Sequence, residues 1–167
     1  MGVRARLREP GSPADFDAVV VAPFGAVGIR ASGAQLEELV FLPAMCVCSA
    51  RTVGAERVAR QVEDYLAGRR WQFDGFELPA GTDFRRQVWR AIAAIAPGAT
   101  RTYGEIAAEL GSAPRAVGQA CGDNPLPLLI PCHRVVAASS VGGFAHSGSG
   151  FHQRVKLWLL AHEAQCR

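Results

Sequence analysis

The chain has 167 residues, 49% hydrophobic and 20% charged, enough for one large domain or two small ones around a packed core. Five cysteines at uneven spacing with no signal peptide exclude a secreted disulfide framework, and no apolar run approaches the roughly 20 residues of a membrane span, so a soluble, cytoplasmic protein is expected. The net charge of +3 divides unevenly: residues 1–82 hold nine Arg and no Lys against ten acids, whereas residues 83–167 hold eight Arg and Lys156 against five acids, an asymmetry that by itself only hints at an anionic partner.

In chain order, residues 1–15 are polar with Gly and Pro and read as a flexible start. The stretch FDAVVVAPFGAVGIRAS contains two short β-like runs around Pro23-Phe24-Gly25, and GAQLEELVFLP is a third; the three predict an antiparallel meander. Cys46 and Cys48 form a C-x-C pair with no nearby His. A structural zinc needs four ligands, so the pair reads as small apolar residues near a strand, and no metal is expected. GAERVARQVEDYLAGRR places Val58, Val62, Tyr65 and Leu66 on one helical face, with Gly68 as a stop. WQFDGFELPAG reads as extended, and Pro79-Ala80-Gly81 marks a boundary between domains at 1–78 and 79–167.

Beyond it, Thr82 caps a helix with Phe84, Val88, Trp89, Ile92 and Ile95 as its buried stripe and Pro97-Gly98 as its end. TRTYGEIAAELGSAPRAVGQACGDN reads as helix, Gly111 turn, helix, with Ser112 at the N-cap of the second. The sparse RAVGQA helix approaches a nucleic-acid backbone closely but reads few bases. FHQRVKLWLLAHEAQCR closes the chain as a helix packing Val155, Leu159 and Trp158. The fold class is thus α/β in two domains: a small antiparallel sheet with a helix, then a mainly helical half with a helix-turn-helix.

The chemistry concentrates in NPLPLLIPCHRVVA, residues 124–137, where an apolar run that reads as a buried strand ends at Pro131 and Cys132, His133 and Arg134 follow. A thiol attacks only as thiolate, so a base must stand near. Adjacent residues do not face each other on a helix or strand. Cys132 therefore either reaches His133 through a bridging water or uses another of the four His as base. Glu163 is the best acid to hold the imidazole, with Asp123 as competitor. The plainer reading is a small buried cysteine at a strand end, but a flanking His and Arg are costly to bury without purpose.

IPCHRVV closely resembles the active-site motif of the O6-alkylguanine-DNA alkyltransferases, the methylated-DNA–protein-cysteine methyltransferases. GTDFRRQVWRAIAAIAPGATRTYGEIAAELG, RAVGQACGDNP and KLWLLAHE fall in that family's order, so the resemblance covers about residues 79–167, more weakly the N-terminal half. It implies a PCHR active-site loop and direct-reversal repair without cofactor. Cys132 takes the alkyl group from O6 of guanine in one irreversible step, with O4-alkylthymine left open as a further substrate. His133 accepts the thiol proton through water, Glu163 orients it, and Asn124 holds the loop. Tyr103 donates toward the departing guanine and helps rotate the nucleotide, and Arg115 fills the gap left by the flipped base, with Ala116 and Gln119 also at the DNA. Val135, Phe144 and Ala145 line the alkyl pocket. The implied partner is double-stranded DNA with alkylated guanine, bound by a monomer without much sequence preference and away from membranes.

Three features depart from the family. Gly143-Phe144 stands where Gly-Tyr is common, AHSGSGFHQRV is longer than the usual Gly-rich link, and the N-terminal cysteines do not match the metal ligands of some relatives. The rival readings are a lesion binder lacking transfer, against which Cys132 argues; a helix-turn-helix regulator, for which RAVGQA offers too little base readout; and a cysteine hydrolase, for which no oxyanion hole is evident.

Overall fold

A computed structural model of the protein describes residues 15–43, 52–143 and 150–166. Strands β1 (Ala18–Ala22), β2 (Gly25–Ser32) and β3 (Gln35–Leu42) pair antiparallel in chain order, as the three apolar runs predict. Gly25 makes the first turn possible: its φ is +142°, and a Cβ there would lie 2.2 Å from the Leu42 carbonyl oxygen. One sheet face, with Val20, Val27, Ile29 and Phe41, packs in the main core with helix α1 (Val53–Leu66). Phe16, Val19, Ala26 and Leu42 form a second, smaller cluster.

Thr52 caps α1 by accepting from the Ala55 amide at 3.3 Å, and Gly68 follows the helix at φ +71°. The buried side of α1 is Ala55, Ala59, Val62 and Tyr65; Val58 and Leu66 sit at its margin. Residues 67–82 form an irregular connection rather than a strand, and its Trp71, Phe73, Phe76 and Leu78 pack back on the core.

Helix α2 (Asp83–Ala93) starts at Thr82 as expected and buries Val88, Trp89 and Ile92; Ile95 is buried just beyond its end. Strand β4 (Arg101–Thr102) leads into α3 (Tyr103–Glu109) through a capping box, in which Thr102 and Glu105 bond each other's backbone amides at 2.6 and 3.1 Å. After the Gly111 turn comes α4 (Pro114–Gly122). Its N-cap is Ala113, not Ser112: Pro114 takes the first helical position, where a missing N–H costs nothing, and so shifts the start by one residue.

The apolar run before Pro131 is not a strand. Residues 126–130 fold as consecutive turns, with Leu128 at φ +75° and Leu126, Leu128, Leu129 and Ile130 all buried. Asn124 accepts from the Leu126 amide at 2.9 Å and donates to the Ile130 carbonyl at 2.8 Å, so side-chain bonds replace the missing ladder. Cys132–Arg134 form one 3-10 turn, and β5 (Val135–Val136) pairs parallel with β4. Helix α5 (Phe151–Glu163) completes the described fold, with Val155 and Leu159 buried and Trp158 stacked on His162. The fold class is the one expected: a small antiparallel sheet with a helix, then mostly helices. No helix among the described residues is long and apolar enough to cross a membrane.

Trp89 pins α2 to α4 by donating from its indole to the Ala120 carbonyl at 2.9 Å while 2% exposed. Trp89→Phe removes that donor and leaves a buried acceptor, so urea unfolding should show a loss of about 1–3 kcal/mol, with more from the lost ring volume.

Candidate active site

The carboxylate of Glu163, 1% exposed at the end of α5, collects five donors. Tyr65 Oη and His133 Nε2 approach Oε1 at 2.8 Å each. Arg134 closes a two-pronged pair, Nε to Oε2 and Nη2 to Oε1, both at 2.8 Å. The Gly98 amide reaches Oε2 at 3.3 Å, with Gly98 held at φ +78°. Burial pushes the carboxyl up, but the bonds and charges of His133 and Arg134 outweigh it and hold Glu163 well below the usual carboxylate range. Arg134 is thus ion-paired with Glu163, and its Nη1 donates to the Ile95 carbonyl at 2.6 Å.

His133 has no exposed surface. Burial pushes its pKa below the ordinary imidazole value, against the opposing pull of Glu163, so the ring is neutral at pH 7. A carboxylate on Nε2 fixes the proton there, which leaves Nδ1 as an acceptor. That Nδ1 is buried and makes no hydrogen bond among the described residues.

Cys132 is 3% exposed, and its backbone amide donates to Ile130 at 2.7 Å. The Asn124 amide that braces the preceding turn also donates to Cys132 Sγ at 3.0 Å. Asp123, the competing acid, is engaged by Arg85 instead.

Tyr103 opens α3, and its hydroxyl donates to the Gly143 carbonyl at 3.2 Å. Burial, then the nearby Cys121 and Cys132 thiols, push its pKa up, so the hydroxyl keeps its proton. Lys156, fully buried on α5, bonds the carbonyls of Val135 at 2.7 Å and Gly143 at 2.9 Å, and burial lowers its amine to about 8. Val135 is itself fully buried.

On α4, Arg115 and Gln119 are exposed one turn apart with Ala116 half-buried between them, while Val117 and Ala120 face the core. The helix passes close to Tyr103, whose ring lies 3.9 Å from where a Cβ on Gly118 would stand. The structure therefore pairs Cys132 with Asn124 and His133 with Glu163, the two pairs joined by the backbone of one 3-10 turn, and leaves Arg115 and Gln119 on the outer surface. Phe144, Ala145, Cys46 and Cys48 lie outside the described residues. Among those residues no group of His, Cys, Asp and Glu is placed to hold a metal.

Sequence reasoning missed Tyr65, Gly98 and Lys156. The first had a signal: a tyrosine on an otherwise apolar helix face must find a partner for its hydroxyl. Lys156 had another, being the one lysine of the chain and next to core-facing Val155.

The fold and site define a protein with a buried, hydrogen-bonded cysteine backed by a His–Glu pair and set beside a helix-turn-helix. The family model described as the DNA-binding domain of 6-O-methylguanine DNA methyltransferase matches residues 83–165. The methylated-DNA–protein-cysteine methyltransferase of Methanosarcina acetivorans is 44% identical over 110 residues, 65% of this chain and 68% of that protein. The Mycobacterium tuberculosis protein of that name is 44% identical over 102 residues, 60% of this chain and 61% of its own. The crystal structure of M. tuberculosis O6-methylguanine methyltransferase superposes with a TM-score of 0.73 at 35% identity, over 87% of this chain and 90% of that one. The chain belongs to the methylated-DNA–protein-cysteine methyltransferase family.

The titrations set an expected pH profile. Glu163 has a folded pKa below its unfolded one, so its stabilisation is present above about pH 4.3 and is lost as pH falls from there toward the folded value. His133 is also depressed, so stability from its neutral form is lost as pH falls below about 6.5. Urea midpoints should therefore decline first below about pH 6.5 and more steeply below about 4.3. Glu163→Gln should cost about 3–5 kcal/mol at neutral pH by leaving Arg134 buried without its counter-charge, and should flatten the steep acid limb.

Proposed function

We propose that the protein repairs DNA by direct reversal, moving an alkyl group from O6 of guanine to Cys132 in one irreversible step. The observation that carries this reading is the 3-10 turn that sets Cys132, bonded by Asn124, next in the chain to His133, whose neutral imidazole is pinned at Nε2 by Glu163 and open at Nδ1. The thiol proton passes through a water to Nδ1, and the imidazolium that forms is met by the Glu163 carboxylate. Sγ then attacks the alkyl carbon as the carbon–O6 bond breaks. Tyr103 donates its proton toward the departing guanine, consistent with a hydroxyl that burial keeps protonated. A thioether leaves no leaving group for water to displace, so each molecule acts once.

An O6 inside a duplex cannot reach a thiol that is 3% exposed, so the nucleotide must rotate out of the stack. Arg115, exposed on α4, fills the gap as a flat cation, and Ala116 and Gln119 lie along the same DNA. The M. tuberculosis relative, matched at TM-score 0.72 and 35% identity, has been solved in complex with DNA, which supports DNA as the partner. In the same reading the chain divides near Pro79-Ala80-Gly81 into a supporting half and a DNA-binding half. It acts as a monomer on duplex DNA with little sequence preference, and Val135, Phe144 and Ala145 border the alkyl group.

Duplex DNA carrying O6-methylguanine should add the mass of one methylene to the intact protein, on the peptide holding Cys132, and stop at one per molecule. Binding without that gain would instead make the protein a lesion binder. Cys132→Ala should bind the lesion and never gain mass. Arg115→Ala should slow repair of duplex roughly 10–100-fold, the loss of about 1–3 kcal/mol of stacking, and leave repair of the free base nearly unchanged; equal losses on both would remove the wedge role.

A further inference from the structure

Asp123 is the acid that the mechanism above leaves unused, and it stands one residue before the asparagine that grips the sulfur. It closes α4 as the C-cap, with its amide on the Gln119 carbonyl at 3.0 Å, and its carboxylate meets the Arg85 guanidinium of α2. Arg85 is fixed in turn, since its amide donates to the capping Thr82 hydroxyl at 3.3 Å in the first turn of α2. Arg85 and Trp89 lie four residues apart on α2, and Ala120 and Asp123 three apart at the end of α4, so each pair shares a helix face. Two bonds therefore cross between the helices side by side: Trp89 to the Ala120 carbonyl in the core, and Arg85 to Asp123 at the rim.

The rim bond bears on the next residue. Asn124 uses its whole side chain on the active turn: Oδ1 accepts from the Leu126 amide at 2.9 Å, and Nδ2 donates to the Ile130 carbonyl at 2.8 Å and to Cys132 Sγ at 3.0 Å. A side chain with three such partners leaves little slack in where its backbone must start. Yet the chain reaches it through Gly122, the residue type with the most backbone freedom, and the Asn124 amide itself ties back to the Cys121 carbonyl at 3.2 Å. The ion pair adds a tie from α2 at the residue between them.

We propose that Arg85, through its ion pair with Asp123, is a positioning residue for the transfer: it fixes the end of α4 so that Asn124 keeps Cys132 Sγ on its line of attack. A pair this exposed adds little to global stability, so its contribution lies in placement. A misplacement of the reacting atom by about 1 Å is enough to slow a reaction roughly 100-fold. The same helix carries Arg115 and Gln119, so tying its far end to α2 also holds the DNA-facing and thiol-facing ends of α4 in one frame.

The inference rests on Cys132 being the alkyl acceptor, so one measurement depends on transfer and a second does not. In the first, excess protein is titrated against duplex carrying O6-methylguanine, which separates the first-order rate at saturation from the half-saturating concentration. Arg85→Ala and Asp123→Asn should each lower the saturated rate roughly 10–100-fold and leave half-saturation at its wild-type value. The double variant should be no slower than the slower single, and Arg85→Lys, which keeps the charge, should recover most of the rate. A shift in half-saturation at an unchanged rate would make Arg85 a phosphate contact and overturn the proposal, as would additive losses in the double variant. In the second, exchange of the Asn124 side-chain amide protons is followed by NMR on the protein without DNA. Both single variants should exchange these protons faster than wild type while the backbone amides of α5 keep their protection. Equal exchange overturns the proposal, and so does a loss of α5 protection, which would make the pair a plain element of stability. Wild-type protein that takes up no methyl group removes the repair reading, and the exchange result then decides the positioning role alone.

Discussion

One buried carboxylate organises the molecule. Glu163 would be costly to desolvate alone, and five donors from three separate parts of the chain make its ionised form the stable one. Each donor is thereby placed. Tyr65 comes from α1, Gly98 from the turn after α2, His133 and Arg134 from the 3-10 turn, and the acid itself from α5. Arg134 balances the charge, which lets His133 stay neutral beside it. The imidazole is then held by one nitrogen and free at the other. The electrostatics that make the cluster stable are the ones that leave a proton acceptor behind the thiol.

A second, shorter chain of bonds sets the sulfur. Asn124 ties the turn that ends at Ile130 and reaches Cys132 with the same amide nitrogen. The turns in place of a strand matter here. A strand through residues 126–130 would alternate its side chains and leave ladder groups to satisfy, whereas the coiled path buries four apolar side chains and lets one asparagine span it. Lys156 serves the far side, holding the carbonyls of Val135 and Gly143 so that the two segments flanking the thiol keep a common support.

Much of this was legible in the residues. The meander, the helices and their threonine caps follow from periodicity and local hydrogen bonding, which act over a few positions. Glu163 could be singled out because it continues the Val155–Leu159 stripe by another turn, so an acid there must point inward. What was not legible depended on contacts far apart in sequence. Leu126–Ile130 looks like a strand because five apolar residues in a row suit either a buried strand or a buried turn, and only the Asn124 bonds decide between them. Ser112 looks like a cap until Pro114 claims the first helical position. Tyr65 and Glu163 are 98 residues apart, and no local pattern links them.

Among the described residues the N-terminal half bonds to the site's framework through Tyr65, whose hydroxyl donates to Glu163 and whose carbonyl meets His162 Nε2 at 2.7 Å, and through the Leu39 amide on the Pro125 carbonyl at 2.9 Å. The sheet and α1 are otherwise scaffold, held by packing that many apolar sequences can supply. Sequence drift in this half is therefore cheap almost everywhere and expensive at a phenol and one strand backbone, a pattern of tolerance that lets two distant relatives share a reactive centre while hardly resembling each other at their beginnings.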